Sequence, residues 1–310
     1  MSTLDLVFAI MATVILFLYG LSSFSREIQD LGQQRLNDLL GRATRNRVAG
    51  FALGAGFTAI VQSSSAVTSL AVALVDSGVI SFAQSLGVLI GANVGTTATA
   101  WLVSFKLTGI GPFFIVLGAV LSVSPGPARV AGKAVFYFGF IFFALDRISL
   151  SLDPLKESEV LPGVLAYATA PLIGALIGAG LTALLQSSSV VTGLAILLVH
   201  QGTIDIQAAV AIIIGANLGS SVTALIASIP MSPAARRAAQ ANFILNLGGV
   251  ALFLPFTNQL TALATSLAAN PGIAVAVAHL FFNLGVALIA LPLTGPLARW
   301  LRPGDPVKPG

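Results

Sequence analysis

Residues 54–100 read GAGFTAIVQSSSAVTSLAVALVDSGVISFAQSLGVLIGANVGTTATA, and residues 178–224 read GAGLTALLQSSSVVTGLAILLVHQGTIDIQAAVAIIIGANLGSSVTA. At a constant offset of 124 residues, without a gap, 24 of the 47 positions are identical. The copies agree in a polar Gln-Ser-Ser-Ser run, Gln62–Ser65 and Gln186–Ser189, and in a Gly-Ala-Asn-x-Gly run, Gly91–Gly95 and Gly215–Gly219, each set in apolar sequence. The duplication makes the chain two halves of one design, and the repeated polar runs are where ligand chemistry is expected.

Composition fixes the solvent. The 310 residues are 56% hydrophobic and only 8% charged, and the mean hydropathy is +0.96. A water-facing surface needs roughly a quarter charged residues, so this is the composition of an integral membrane protein. No period-two alternation persists along the segments, which excludes a β-barrel and leaves helical spans of about 20 residues. With no cysteine there is no disulfide framework and no thiolate chemistry. The net charge of +4 reads as loop arginines that hold topology, not as a nucleic-acid footprint, because bases and aromatics do not interleave. Arg26, the first basic residue, follows the first apolar stretch, which is the wrong order for a cleavable signal peptide.

The expected fold is an all-α membrane protein made of two inverted repeats, each with a re-entrant helical hairpin and a discontinuous transmembrane helix. Residues 1–48 hold a first membrane helix, 4–22, ending at Tyr19-Gly20, and an amphipathic interfacial helix, 24–47, in which Arg26, Arg35, Arg42, Arg45 and Arg47 alternate with Leu31, Leu36, Leu39 and Leu40. Repeat 1 covers 49–148, a hydrophilic linker 149–162, repeat 2 163–300, and a tail 301–310. Hairpins are expected over 50–76 and 172–201, since each polar run leaves two arms too short to cross about 30 Å of hydrocarbon. Gly50, Gly54 and Gly56, repeated as Gly174, Gly178 and Gly180, would pack the first arm closely on a neighbour. Gly-Ala-Asn-x-Gly is expected to break the helices 82–105 and 206–228. Further spans fall near 108–124, 131–148, 238–256 and 273–295. Three crossings between the motifs would place the hairpins upside down to one another, with tips meeting near the midplane.

Irregular backbone at membrane depth has to be buried or line a watery cavity, so these motifs face inward. A hairpin tip exposes free N–H groups and the positive end of a helix dipole, which suits an oxyanion. Oxygens from Gln62, Ser63, Asn93, Gln186, Ser187 and Asn217, with the hydroxyls of Thr68, Thr96, Thr192 and Ser220, form a set suited to a hard cation such as sodium. No Lys or Arg lies in either motif, so a co-bound cation would help to neutralise the anion and couple the two ions. Asn242, Asn246, His279 and Asn283 stand at i,i+4 spacing on apolar helices and read as interhelical hydrogen-bonding groups.

The paired QSSS runs, each followed by G-A-N-x-G-[TS]-[TS], resemble the sodium-phosphate cotransporter family that includes the type II renal and intestinal carriers and many bacterial members. The resemblance covers residues 48–105 and 172–228 in detail. It implies sodium-coupled phosphate symport by alternating access in the cell membrane, with sodium ions as coupling ions and no other cofactor. It places phosphate and sodium contacts on Gln62, Ser63, Ser64, Ser65, Gln186, Ser187, Ser188 and Ser189, with Asn93, Thr96, Asn217 and Ser220 behind them. Many bacterial relatives carry a soluble domain resembling the phosphate-signalling PhoU protein, and no PhoU-like stretch occurs before Gly310.

Two other classes compete with a carrier. An anion channel fits discontinuous helices from two repeats less well than an occluded site does. An intramembrane enzyme lacks its base, because neither His200 nor His279 lies in a motif. A proton-coupled carrier of a related oxyanion lacks a carboxylate in either motif, Asp76 and Asp205 being the nearest. Phosphate, sodium and the lipid bilayer are the expected partners, nucleic acid is not, and a homodimer stays open.

Overall fold

A computed structural model describes residues 3–43, 46–105, 107–125, 127–152, 154 and 170–301. Among these the chain is all helical. The order is α1 (Thr3–Ala43), α2 (Arg47–Val61), α3 (Ser64–Asp76), α4 (Phe82–Gly95), α5 (Thr97–Ser104), α6 (Gly111–Ser122), α7 (Pro127–Leu152), α8 (Pro171–Leu185), α9 (Ser188–His200), α10 (Ile206–Ala227), α11 (Pro233–Phe253), α12 (Thr257–Leu267) and α13 (Pro271–Trp300). Six stretches are long and apolar enough to cross a membrane, namely Leu4–Asp30, Phe82–Ser104, Ala131–Ser151, Ile206–Ala227, Pro233–Leu267 and Pro271–Trp300. Large side chains such as Phe8, Ile15, Phe113, Leu288 and Trp300 are exposed, as expected of surfaces that face lipid. The protein is a multi-pass membrane protein.

The repeat is written into the helix boundaries. Adding 124 carries α2 onto α8 and α3 onto α9 residue for residue, and carries Thr3, the start of α1, onto Pro127, the start of α7. Both short-helix pairs expected within 50–76 and 172–201 are present, each joined by a two-residue turn.

Close backbone contact holds the first arm of each pair. A methyl group at Gly54 would overlap the Val88 carbonyl, and one at Gly91 or Gly95 the carbonyls of Phe51 and Ala55. In the second copy Gly178, Gly215 and Gly219 stand in the same way against Ile212, Ala175 and Ala179. So α2 packs on α4, and α8 on α10, backbone against backbone. Gly56 and Gly180, expected to join this contact, face open space instead.

Three expectations need correction. The break predicted inside 206–228 is absent, because α10 runs unbroken through Gly215-Ala-Asn-Leu-Gly219. Those glycines serve helix contact and leave the hydrogen-bond ladder intact. In 82–105 the interruption shrinks to Thr96, which keeps helical angles (φ −60°, ψ −25°). Residues 4–22 and 24–47 are not two helices, since α1 continues to Ala43. Gly20 does not end it but makes room for the Phe140 ring of α7. Finally, 108–124 becomes a 3-10 turn, Leu107–Ile110, and the short α6, which packs along α7. The linker residues 155–162 and the tail residues 302–310 lie outside the described residues.

The far ends of the pairs are tied in matching ways. Asp76 closes α3 and accepts from the backbone N–H of Ser232, the N-cap of α11, at 2.7 Å. That bond, with a second from the Ser232 side chain, holds the Asp76 carboxyl below its ordinary range. His200, 124 residues on, closes α9 and lies 3.2 Å from Oδ1 of Asn270, the N-cap of α13.

Overlap with backbone cannot be relieved by a rotamer change. Gly215→Ala should therefore destabilise the protein by about 1–3 kcal/mol, whereas Gly180→Ala should change stability by less than about 1 kcal/mol, alanine being the better helix former. Thermal midpoints in detergent check this, and equal Tm values for the two variants would refute the packing role of Gly215.

Candidate functional site at the paired motif tips

Gln62 and Gln186 are the only non-glycine residues with positive φ among the described residues, at φ 60°, ψ 24° and φ 54°, ψ 26°. The left-handed conformation ends α2 and α8 abruptly, a role usually given to glycine, and costs glutamine about 1 kcal/mol. Ser63 and Ser187 follow in extended conformation as the N-caps of α3 and α9. The Ser63 hydroxyl accepts from the Ala66 N–H at 3.3 Å. Each tip thus presents a glutamine amide, a serine hydroxyl and a fresh helix N-terminus whose first N–H groups have no intrahelical acceptor.

The two tips touch. Ser189 donates to the Gln62 backbone carbonyl at 3.3 Å, and Thr99 of α5 donates to Gln62 Oε1 at 2.8 Å while lying 3.2 Å from the Ser189 hydroxyl. Gln62 Nε2 also donates to the Ala59 carbonyl. The Gln62 side chain is thus held by Thr99 and Ala59 of its own half, while its backbone carbonyl takes the bond across the halves from Ser189. Gln62 is accordingly buried, while Gln186 is exposed.

A cavity of about 460 Å³ opens at this junction. Gln62, Ser63, Gln186 and Ser187 line it from the two tips, and Ser22, Ser25, Arg26 and Gln29 line it from α1. The remaining motif residues stand behind it in the first turns of α3 and α9, with Ser64, Ser188 and Ser189 buried and Ser65 partly so.

The other expected residues are buried but do not line the cavity. Asn93 Nδ2 donates to Asn246 Oδ1 at 2.9 Å, joining α4 to α11. Asn246 in turn donates to the Asn242 carbonyl at 3.1 Å, and Asn283 to the His279 carbonyl at 3.0 Å. Thr96 and Ser220 turn their hydroxyls onto the carbonyls of Ala92 and Asn217, at 3.0 and 2.8 Å. Thr68 is buried in α3. The Thr192 hydroxyl and the Asn217 amide nitrogen are buried without a hydrogen-bond partner among the described residues. Among the described residues no group of three or more His, Asp or Glu could hold a metal ion.

Sequence reasoning placed Arg26 in an interfacial helix and did not assign the α1 wall to the site. The signal was there, because Leu18, Leu21, Ser22, Ser25, Arg26 and Gln29 fall on one helical stripe. Thr99, shortly after the first Gly-Ala-Asn-x-Gly run, contacts both tips.

A family profile described as Na+/Pi-cotransporter matches residues 16–150 and 156–293. The uncharacterized protein YqeW of Bacillus subtilis is 30% identical over 300 residues, covering 96% of this chain and 97% of that protein. The putative inorganic phosphate export protein YjbB of Escherichia coli is 29% identical over 94% of this chain, which spans only 54% of that longer protein. The mouse sodium-dependent phosphate transport protein 2C is 43% identical over 83 residues, 25% of this chain and 14% of that protein. No solved structure matches. Paired tips of duplicated sequence, enclosed in a helical membrane protein and matched over nearly their whole length, place this chain in the Na+/Pi-cotransporter family.

Proposed function

We propose that the chain is a sodium-coupled transporter of inorganic phosphate that works by alternating access, with the substrate held between the two Gln-Ser-Ser-Ser tips. The meeting of both tips in one cavity carries the reading. A tetrahedral oxyanion needs donors from several directions, and two converging helix N-termini with Ser63, Ser187, Gln62 and Gln186 around one space supply them. The family membership and the relatives named for phosphate transport support the same substrate.

Sodium enters as the coupling ion. The unpartnered Thr192 hydroxyl behind the second tip offers a hard oxygen ligand in a buried position, and Thr68, its counterpart in the first copy, is buried likewise. A cation there would lower the electrostatic cost of bringing an anion into a poorly solvated site, and the anion would do the same for the cation. Repeats 49–148 and 163–300 would enter the membrane in opposite senses, and rocking one against the other would expose the tips to either side in turn. The direction of net flux would follow from the combined gradients of the coupled ions.

Proteoliposomes containing the purified chain should accumulate radiolabelled phosphate above equilibrium under an inward sodium gradient, and not when potassium replaces sodium. Equal entry with either cation would overturn sodium coupling. Gln186→Gly should relieve the left-handed backbone and hold or raise Tm, while uptake falls about tenfold or more through loss of an amide that lines the cavity. The folded Ser63→Ala, Ser187→Ala double variant should lose phosphate affinity by about tenfold or more. Wild-type affinity in that double variant would remove the tips from the site.

A further inference from the structure

The charge accounting at the tips is incomplete. Helix N-termini and hydroxyls offer partial charges, but a phosphate dianion leaving water needs more compensation than these supply. The same cavity has a further wall, on α1. On α1 the positions 18, 21, 22, 25, 26 and 29 follow the i, i+3, i+4 rule and form one stripe facing the cavity, of which four are polar, Ser22, Ser25, Arg26 and Gln29.

We propose that Arg26 is the cationic arm of the anion site, binding the tetrahedral oxyanion against Ser63, Ser187 and the two glutamine amides. The inference rests on the reading of the tips as a phosphate site and adds to it a residue outside both motifs. Arg26 shares the cavity with all four tip residues. It belongs to neither ion pair found among the described residues, for the adjacent Glu27 lies 3.6 Å from Lys133 and Asp146 pairs with Arg147 at 2.8 Å. Its neighbours on the stripe are uncharged and partly engaged with each other, Gln29 Nε2 donating to the Ser25 hydroxyl at 3.1 Å. A guanidinium offers a planar fork of five donors that matches two oxygens of a phosphate at once, keeps its charge at any working pH, and sheds water more readily than an ammonium. Arg26 is exposed, which places the charge where an incoming anion meets it before reaching the tips.

The arrangement is not duplicated. The offset that carries α1 onto α7 carries Arg26 onto Leu150, so one arginine serves a cavity built from two copies. A single fixed positive charge leaves the remainder of a dianion to the co-transported cations. Arg26 thereby sets how strongly phosphate affinity leans on sodium, and its removal makes that dependence steeper.

The test compares sodium-driven uptake of radiolabelled phosphate in proteoliposomes for the wild type, Arg26→Gln, Arg26→Lys, Gln29→Glu and the control Arg147→Gln, each checked for folding by its elution profile and Tm. The expected result is a KM for phosphate raised about tenfold to a hundredfold in Arg26→Gln, with Arg26→Lys in between and Arg147→Gln unchanged. Gln29→Glu, which sets a carboxylate on the same wall, should raise KM even if Arg26→Gln fails to fold. A maximal rate that falls while KM stays within about twofold of wild type would mark Arg26 as structural and overturn the inference while leaving the phosphate site standing. An equal KM rise in Arg147→Gln would also overturn it, by showing a general surface-charge effect. A wild type that takes up no phosphate would defeat the reading of the tips and this inference together.

Discussion

A helix that stops inside a membrane strands its last carbonyls and the next helix's first N–H groups where no lipid can satisfy them. Two abrupt helix ends stand at Gln62 and Gln186 in this membrane protein, and much of the fold can be understood as the means of enclosing them. Each short first arm lies backbone to backbone on a long central helix, a contact that only glycine on both sides permits. The long helices that receive them, α4 with α5 and α10, are the most enclosed spans in the molecule. The stops survive because the surrounding helices give the freed groups partners or an open cavity, and that cavity is the place proposed for the anion.

The duplicated stretch was legible in the sequence to within a few residues, the pairs expected over 50–76 and 172–201 running over 47–76 and 171–200. The polar run located both turns, and its offset reproduced the boundaries of α2, α3, α8 and α9. The Gly-Ala-Asn-x-Gly run misled in part because glycine carries two meanings, backbone freedom and closeness of approach, and sequence alone does not separate them. Here Gly91, Gly95, Gly215 and Gly219 are all used for approach, while their helical hydrogen bonds stay made. Asn93 followed the plainer reading of an apolar-helix amide, bonding across to Asn246. Such a bond is worth about 0.6–2 kcal/mol in a membrane protein, enough to fix α11 against α4 without any ligand.

Arg26 escaped sequence reasoning for a different reason. Arginines alternating with leucines after a first apolar helix form the pattern of an interfacial segment, and that pattern drew Arg26 into it. What it hid is that one stripe of the same helix, four polar residues within eight positions, lines the cavity at the tips. A search built on internal repetition cannot find it, because α7 carries Asp146, Ser149 and Leu150 where α1 carries Ser22, Ser25 and Arg26.

The copies differ most where they would need to move. Gln62 is tied by Thr99, Ser189 and Ala59, while Gln186 stands exposed in the cavity. In a carrier that exposes one site to two sides in turn, the pinned tip is the closed side and the exposed tip the open one, and reversing access requires the bonds at Gln62 to break. Two bridging hydrogen bonds contribute only about 1 kcal/mol each, so in the proposed cycle thermal motion and ion binding at the tips would suffice to tip the balance between states. The backbone contacts at the glycines behave oppositely, because prying apart two closely packed helices would expose many groups at once. In the proposed alternating-access cycle, motion would therefore be confined to the junction between the halves, and each short arm would travel rigidly with the long helix on which it lies.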